Sequence, residues 1–104
     1  MVSDELNCDT LTINKRTFKV ARNGKEISLS KKEFALLQYL VRNKNTVVSK
    51  DKIISHVWNY DADILPNTVE VYIGYLRNKI DKPFKDKPPI IYTVRGFGYK
   101  VSEK

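Results

Sequence analysis

Between Pro66 and Val101 the chain carries side chains suited to reading another molecule's surface rather than to making or breaking bonds. Asn67, Val71, Gly74, Tyr75 and Asn78 share one face of a helical pattern. The opposite face is Val69, Ile73, Leu76 and Ile80, at the three-and-four spacing of a buried stripe. Amides, a phenol and valine methyls, with few acids among them, are too mixed for an ordinary solvated face. Such groups hydrogen-bond to base edges and pack on thymine methyls in the major groove of duplex DNA. Val71 is the sharpest of them, because it projects nearly opposite Ile73. A lone surface valine means nothing by itself, but Asn67, Thr68, Tyr72 and Tyr75 surround this one. Arg95 stands just before Gly96-Phe97-Gly98, where it can enter a narrow minor groove or serve as an ordinary exposed arginine. Arg77, Lys79, Lys87 and Lys100 cluster in the same third of the chain and together suit phosphates better than any one does alone. Gly74 costs a helix interior about 1 kcal/mol relative to alanine. Close approach of backbone to phosphate or sugar accounts for it, and so does simple tolerance.

The elements that must hold these groups follow from local patterning. Leu11-Thr12-Ile13 and Phe18-Lys19-Val20 alternate as short strands, and Asn23-Gly24 supplies a tight turn into Glu26-Ile27-Ser28. Ser30-Lys31-Lys32-Glu33 has the form of a capping box, with Leu29 and Phe34 placed for a hydrophobic staple. Phe34, Leu37, Leu40 and Val41 make the stripe of a first helix that fades at Asn43-Lys44-Asn45. Ser49 starts a second helix, striped by Ile53, Ile54, Val57 and Trp58. Pro66 closes an irregular stretch from Asn59 to Leu65, and Asn67 with Glu70 predicts a polar cap for a third helix over 67–80. Lys82 to Pro89 is a stiff basic link whose prolines keep it out of helix and strand. Ile90 to Val94 and Tyr99 to Val101 then read as a hairpin. The order is strands, three helices and a hairpin, so the second and third helices form a helix-turn-helix-like pair and the hairpin a wing.

Composition narrows the class. The chain has 104 residues, 41% of them hydrophobic, which suits one domain over residues 1–104 and excludes a disordered tail. Nineteen Lys and Arg against twelve Asp and Glu leave a net charge of +7, which attracts polyanions. No apolar run approaches a spanning helix, no lipidation signal is visible, and Met1-Val2-Ser3-Asp4-Glu5 is no signal peptide, so no membrane partner is expected. A single cysteine, Cys8, excludes an intrachain disulfide and suits a reducing compartment, making cytoplasm the default. Enzyme readings find no support. Gly96-Phe97-Gly98 lacks the third glycine and the strand-to-helix context of a dinucleotide loop. One histidine, His56, and one cysteine cannot build a usual zinc site. Asp61 and Asp63 have no partner at a useful spacing. No catalytic residue, metal or cofactor is expected.

Tyr92-Thr93-Val94-Arg95-Gly96-Phe97-Gly98-Tyr99 resembles the TVRGxGY signature of OmpR/PhoB-type response-regulator effector domains. Thr68 to Ile73 with Leu76 to Ile80 looks like the recognition helix of that family, Leu29 to Leu37 like its first helix, and Val57-Trp58 like the close of its second. The resemblance runs from Leu11 to Val101 in the family's order and spacing. It implies an α+β winged helix-turn-helix with an N-terminal four-stranded antiparallel sheet, three helices and a C-terminal β-hairpin wing. It implies sequence-specific binding of double-stranded DNA in a bacterial two-component system, with the recognition helix in the major groove and the wing at the minor groove. Carried position by position, the family's DNA contacts fall on Asn67, Thr68, Val71, Tyr72, Tyr75 and Arg77, and on Thr93, Arg95 and Tyr99 of the wing. The segment that touches RNA polymerase falls on the Asn59–Leu65 loop, through Tyr60, Asp61, Asp63 and Ile64. A phosphoacceptor receiver domain, answering to a sensor kinase, normally precedes such domains and is absent from this sequence. The resemblance further implies a free monomer that binds direct repeats as a head-to-tail pair. Better-known members often carry arginine where this chain has Asn67, Gly74 and Tyr75, so a different operator is expected.

Overall fold

Short amphipathic strands at the start of the chain need a layer to cover one face, and the helices supply it. The computed structural model describes residues 4–59, 64–65 and 67–102. Strands β1 (Glu5–Cys8), β2 (Leu11–Asn14), β3 (Lys19–Arg22) and β4 (Lys25–Ile27) form an antiparallel sheet in chain order. Cys8, Leu11, Ile13 and Val20 point into the core, at every second position where the strand is long enough to show it. Asn23 and Gly24 both take left-handed backbone, φ 52° and 81°, as a two-residue hairpin turn between right-twisted strands requires.

The residues had suggested three strands here; β1 is the fourth, matching the sheet that the resemblance implies. Phe18 corrects the expected strand Phe18 to Val20. It lies in the turn before β3 with φ 61°, exposed and edge-on to Phe34 at 5.3 Å. The Asn14 side chain accepts from the amides of Arg16 and Thr17, which lengthens the turn and delays the strand.

Helices α1 (Lys31–Arg42), α2 (Lys50–Val57) and α3 (Thr68–Leu76) follow, and α3 runs on through a π-helical turn, Arg77–Asp81. The capping box of α1 forms in both directions: the Glu33 amide donates to Ser30 Oγ, and the Ser30 amide donates to Glu33 Oε1. Ser49 caps α2 by accepting from the Lys52 amide. The polar cap expected for α3 does not form. Asn67 occupies the cap position without a side-chain bond, and Glu70 turns instead to Lys50 across the helix pair, 3.1 Å away. Nor is 67–80 one regular helix, because after Leu76 the Lys82 amide donates to the Arg77 carbonyl, a five-residue step.

The helical stripes meet in one core, where Leu37, Leu40, Ile53, Trp58, Val69, Ile73 and Leu76 join the sheet residues. Strands β5 (Ile91–Val94) and β6 (Gly98–Val101) form the closing hairpin and send Ile91, Tyr99 and Val101 into the same core. A backbone bridge holds this hairpin to the α1–α2 connection: the Val48 amide donates to the Tyr99 carbonyl at 2.8 Å, and the Tyr99 amide donates back at 3.0 Å. A side chain at Gly98 would bring its Cβ within 2.1 Å of the Val48 carbonyl oxygen, so only glycine permits that approach.

Candidate nucleic-acid interface

Burial of Val69, Ile73, Leu76 and Ile80 fixes the rotation of α3 and turns the opposite face outward. Val71 is 37% exposed and Tyr75 46%, with Asn67 and Asn78 exposed beside them. The structure therefore brings together the face that the periodicity isolated. Thr68 is half-buried at the start of the helix. Tyr72 is half-buried too, edge-on to Trp58 at 5.2 Å and to Tyr75 at 5.4 Å. Its ring ties the outward face to the end of α2 and holds the Tyr75 ring in a set orientation. Gly74 sits on the same exposed side, with nothing within 4 Å of where a Cβ would be.

The wing stands beside this helix. Arg77 Nη2 donates to Thr93 Oγ1 at 2.7 Å, so two residues expected to touch DNA separately are joined to each other. The same nitrogen lies 3.4 Å from the Ile91 carbonyl. Tyr99, also expected at the interface, is largely buried against the core. Burial first, and then the nearby Glu70 carboxylate, push its hydroxyl above the ordinary tyrosine range, so it stays protonated. Glu70 itself is held below the usual carboxylate range by its own backbone amide and by the Lys50 ammonium. Arg95 and Phe97 are exposed at the wing tip, where Gly96 turns at φ 83°. Among the described residues neither Arg95 nor Lys100 forms an ion pair. A cleft of about 440 Å³ separates the wing from the start of α2, lined by Ser49, Lys50, Arg95, Gly98 and Tyr99 among others.

Of the predicted polymerase contacts, Tyr60, Asp61 and Asp63 lie outside the described residues, while Ile64 packs partly against the core. Sequence reasoning missed how the interface is held in place, and it passed over one exposed aromatic residue at the wing tip. Arg22 on β3 is fully buried and reaches the end of the recognition helix. Lys79, expected among the phosphate-binding cations, instead donates to Glu33 at 2.7 Å and fastens the π-helical turn to the start of α1. Phe97 is an exposed aromatic side chain at the wing tip, and its place between two glycines was the available signal. No group of His, Cys, Asp or Glu among the described residues is arranged to hold a metal, and none of the described helices is long and apolar enough to cross a membrane.

Residues 24–101 match the family described as "Transcriptional regulatory protein, C terminal". The chain is 47% identical over 98 residues to the response regulator ArlR of Staphylococcus aureus, covering 94% of this chain and 44% of that protein. It thus spans less than half the length of this curated relative. The fold superposes with TM-score 0.83 on the Klebsiella pneumoniae RstA DNA-binding domain solved in complex with the RstA box, at 26% identity, covering 96% of this chain and 98% of that one. With the Thermotoga maritima OmpR/PhoB homologue DrrB the TM-score is 0.82 at 31% identity, over 95% of this chain and 44% of DrrB. Family match, element order and outward helix face agree: this chain belongs to the C-terminal effector domains of OmpR/PhoB-type transcriptional regulators, a winged-helix, non-enzymatic family of DNA-binding domains.

Proposed function

We propose that this domain recognises a specific double-stranded DNA site to control transcription, laying α3 in the major groove and the wing tip at the adjoining minor groove. The observation that carries the reading is the outward row Asn67, Val71, Tyr75 and Asn78, fixed beside a basic hairpin by the Arg77–Thr93 bond. Base edges carry sequence and phosphates do not, so Asn67, Thr68, Val71, Tyr72 and Tyr75 are the specifying side chains. Arg95 reads the narrow groove, Lys100 adds charge, and Arg77 with Thr93 sets the angle between helix and wing. Tyr99 offers the DNA at most an edge of its ring.

In the longer protein, a receiver domain answering to a sensor kinase would govern this domain in the cytoplasm. The 59–65 loop, with Tyr60, Asp61, Asp63 and Ile64, is the surface offered to RNA polymerase. Residues 1–104 act as one domain, monomeric when free, and two copies bind direct repeats head to tail. Repeats about 10–10.5 bp apart put both copies on one side of the duplex. Footprinting on a site selected from random oligonucleotides tests the placement. Protection of major-groove purines flanked by a protected A·T-rich minor groove is expected, repeated once per turn on a two-repeat site. Protection of a single groove, or a preference for inverted repeats, would overturn the arrangement.

A further inference from the structure

We infer that Gly74 is a specificity-determining position, where the bare helix backbone of α3 seats against the deoxyribose–phosphate strand between the two grooves. The inference rests on the DNA-binding reading above and deepens it. Glycine in a helix interior is unfavourable relative to alanine, because it gives up more backbone freedom. A glycine there leaves open a space that a side chain would fill.

Among the described residues nothing occupies that space. Gly74 has no left-handed backbone to accommodate, and a Cβ added to it would meet nothing within 4 Å. Gly98 is the opposite case, since there the Val48 carbonyl excludes any side chain. The space beside Gly74 is therefore open to a bound partner.

Its place on the helix says where. At 100° per residue, Gly74 falls between the outward row of Asn67, Val71 and Asn78 and the wing-facing row of Glu70 and Arg77. Arg77 is bonded to Thr93 of the wing and Glu70 to Lys50 of α2, so both flanking side chains are drawn aside. A gap one side chain wide is left between the groove-reading row and the wing. With the helix in one groove and the wing in the next, the strand dividing those grooves passes over this gap. Bare backbone lets the helix settle deep enough for Val71 to reach a thymine methyl. A loosely docked, non-specific complex does not need that depth.

The test uses stability and binding together, because the two must move in opposite directions. Gly74→Ala is expected to raise Tm by about 2–8 °C. It should weaken binding to a site selected with the native domain by at least about fivefold, while binding to random duplex stays within about twofold. The salt dependence should not change, since no charge is added or removed. Gly74→Leu, which fills more of the same space, should lose more. Native-like operator affinity in both variants would overturn the inference, as would a loss of stability in Gly74→Ala, which would give the glycine an internal cause. A native domain with no salt-sensitive binding to duplex at all would instead refute the reading on which the inference rests.

Discussion

Arg22 and Asp81 meet inside the protein, with Nη1 of the arginine 3.1 Å from Oδ1 of the aspartate and the arginine side chain fully buried. They join the N-terminal sheet to the end of the recognition helix. Arg22 also donates to the carbonyls of Ile80 and Pro88, and its guanidinium lies 5.3 Å from the Phe84 ring centroid. Asp81 accepts from the amides of Ile90 and Ile91, where the wing begins. One ion pair thus fixes sheet, helix end and wing relative to each other. It also answers the desolvation of both charges with hydrogen bonds on nearly every side.

Removing one partner strands the other in the interior. Asp81→Ala should destabilise the domain by about 3–5 kcal/mol in urea unfolding. Asp81→Asn keeps an acceptor for the two wing amides and should cost less. Equal, small losses from both would mean the pair is solvated in practice.

Docking of the wing depends on Gly98. Alanine there must leave φ 143° or push back the Val48 carbonyl. Backbone strain of that kind costs about 1–3 kcal/mol, and DNA affinity should fall with it because the wing shifts. Gly24→Ala strains only a solvent-facing turn, so it should lower stability while leaving affinity near native. If Gly98→Ala behaves the same way, the wing's position does not matter for binding.

Acid should loosen the tie between α1 and the recognition helix. Burial alone would raise the Glu33 carboxyl, but the Lys79 ammonium and the Ser30 amide outweigh it and hold it below its ordinary value. A group whose folded pKa lies below its unfolded one adds stability above the unfolded value, near 4.3 for a glutamate. That stability is lost as pH falls through the folded value. Glu33→Gln should therefore flatten the loss of stability below about pH 4.3, most visibly at low salt because Lys79 is partly exposed. An unchanged acid limb would remove Glu33 from the explanation.

Specificity and affinity should separate by residue. Val71→Asp sets a carboxylate among base acceptors and phosphates, and should erase preference for a selected site. Arg95→Ala should weaken binding chiefly where the flanks are A·T-rich. Competition with duplexes differing only in their flanks checks this, and equal weakening on every flank would reduce Arg95 to a phosphate contact.

Features set by near neighbours were legible in the sequence. Ser30 and Glu33 needed only each other, Asn23-Gly24 needed only its backbone, and the α3 stripe declared its own buried side. Features set across the chain were not. Glu70 looked like a helix cap because nothing local announced Lys50, twenty residues earlier. Leu36 fell outside the stripe assigned to α1, yet it is buried because the helix is covered on more than one side. Arg22 gave no sign of burial, since a buried arginine depends on acceptors supplied by residues 80, 81 and 88. At the interface, the sequence placed the outward face of α3 well. It left Arg77, Thr93 and Tyr99 as independent contacts, where folding binds the first two together and buries most of the third.

The most direct test of the account is the affinity of the native domain for a selected site and for random duplex at about 50 and 200 mM salt. Four to six phosphate contacts predict a log–log slope of about −4 to −5 on either duplex, with the selected site preferred by at least about tenfold at both concentrations. Equal affinity for the two duplexes, or binding indifferent to salt, would contradict it.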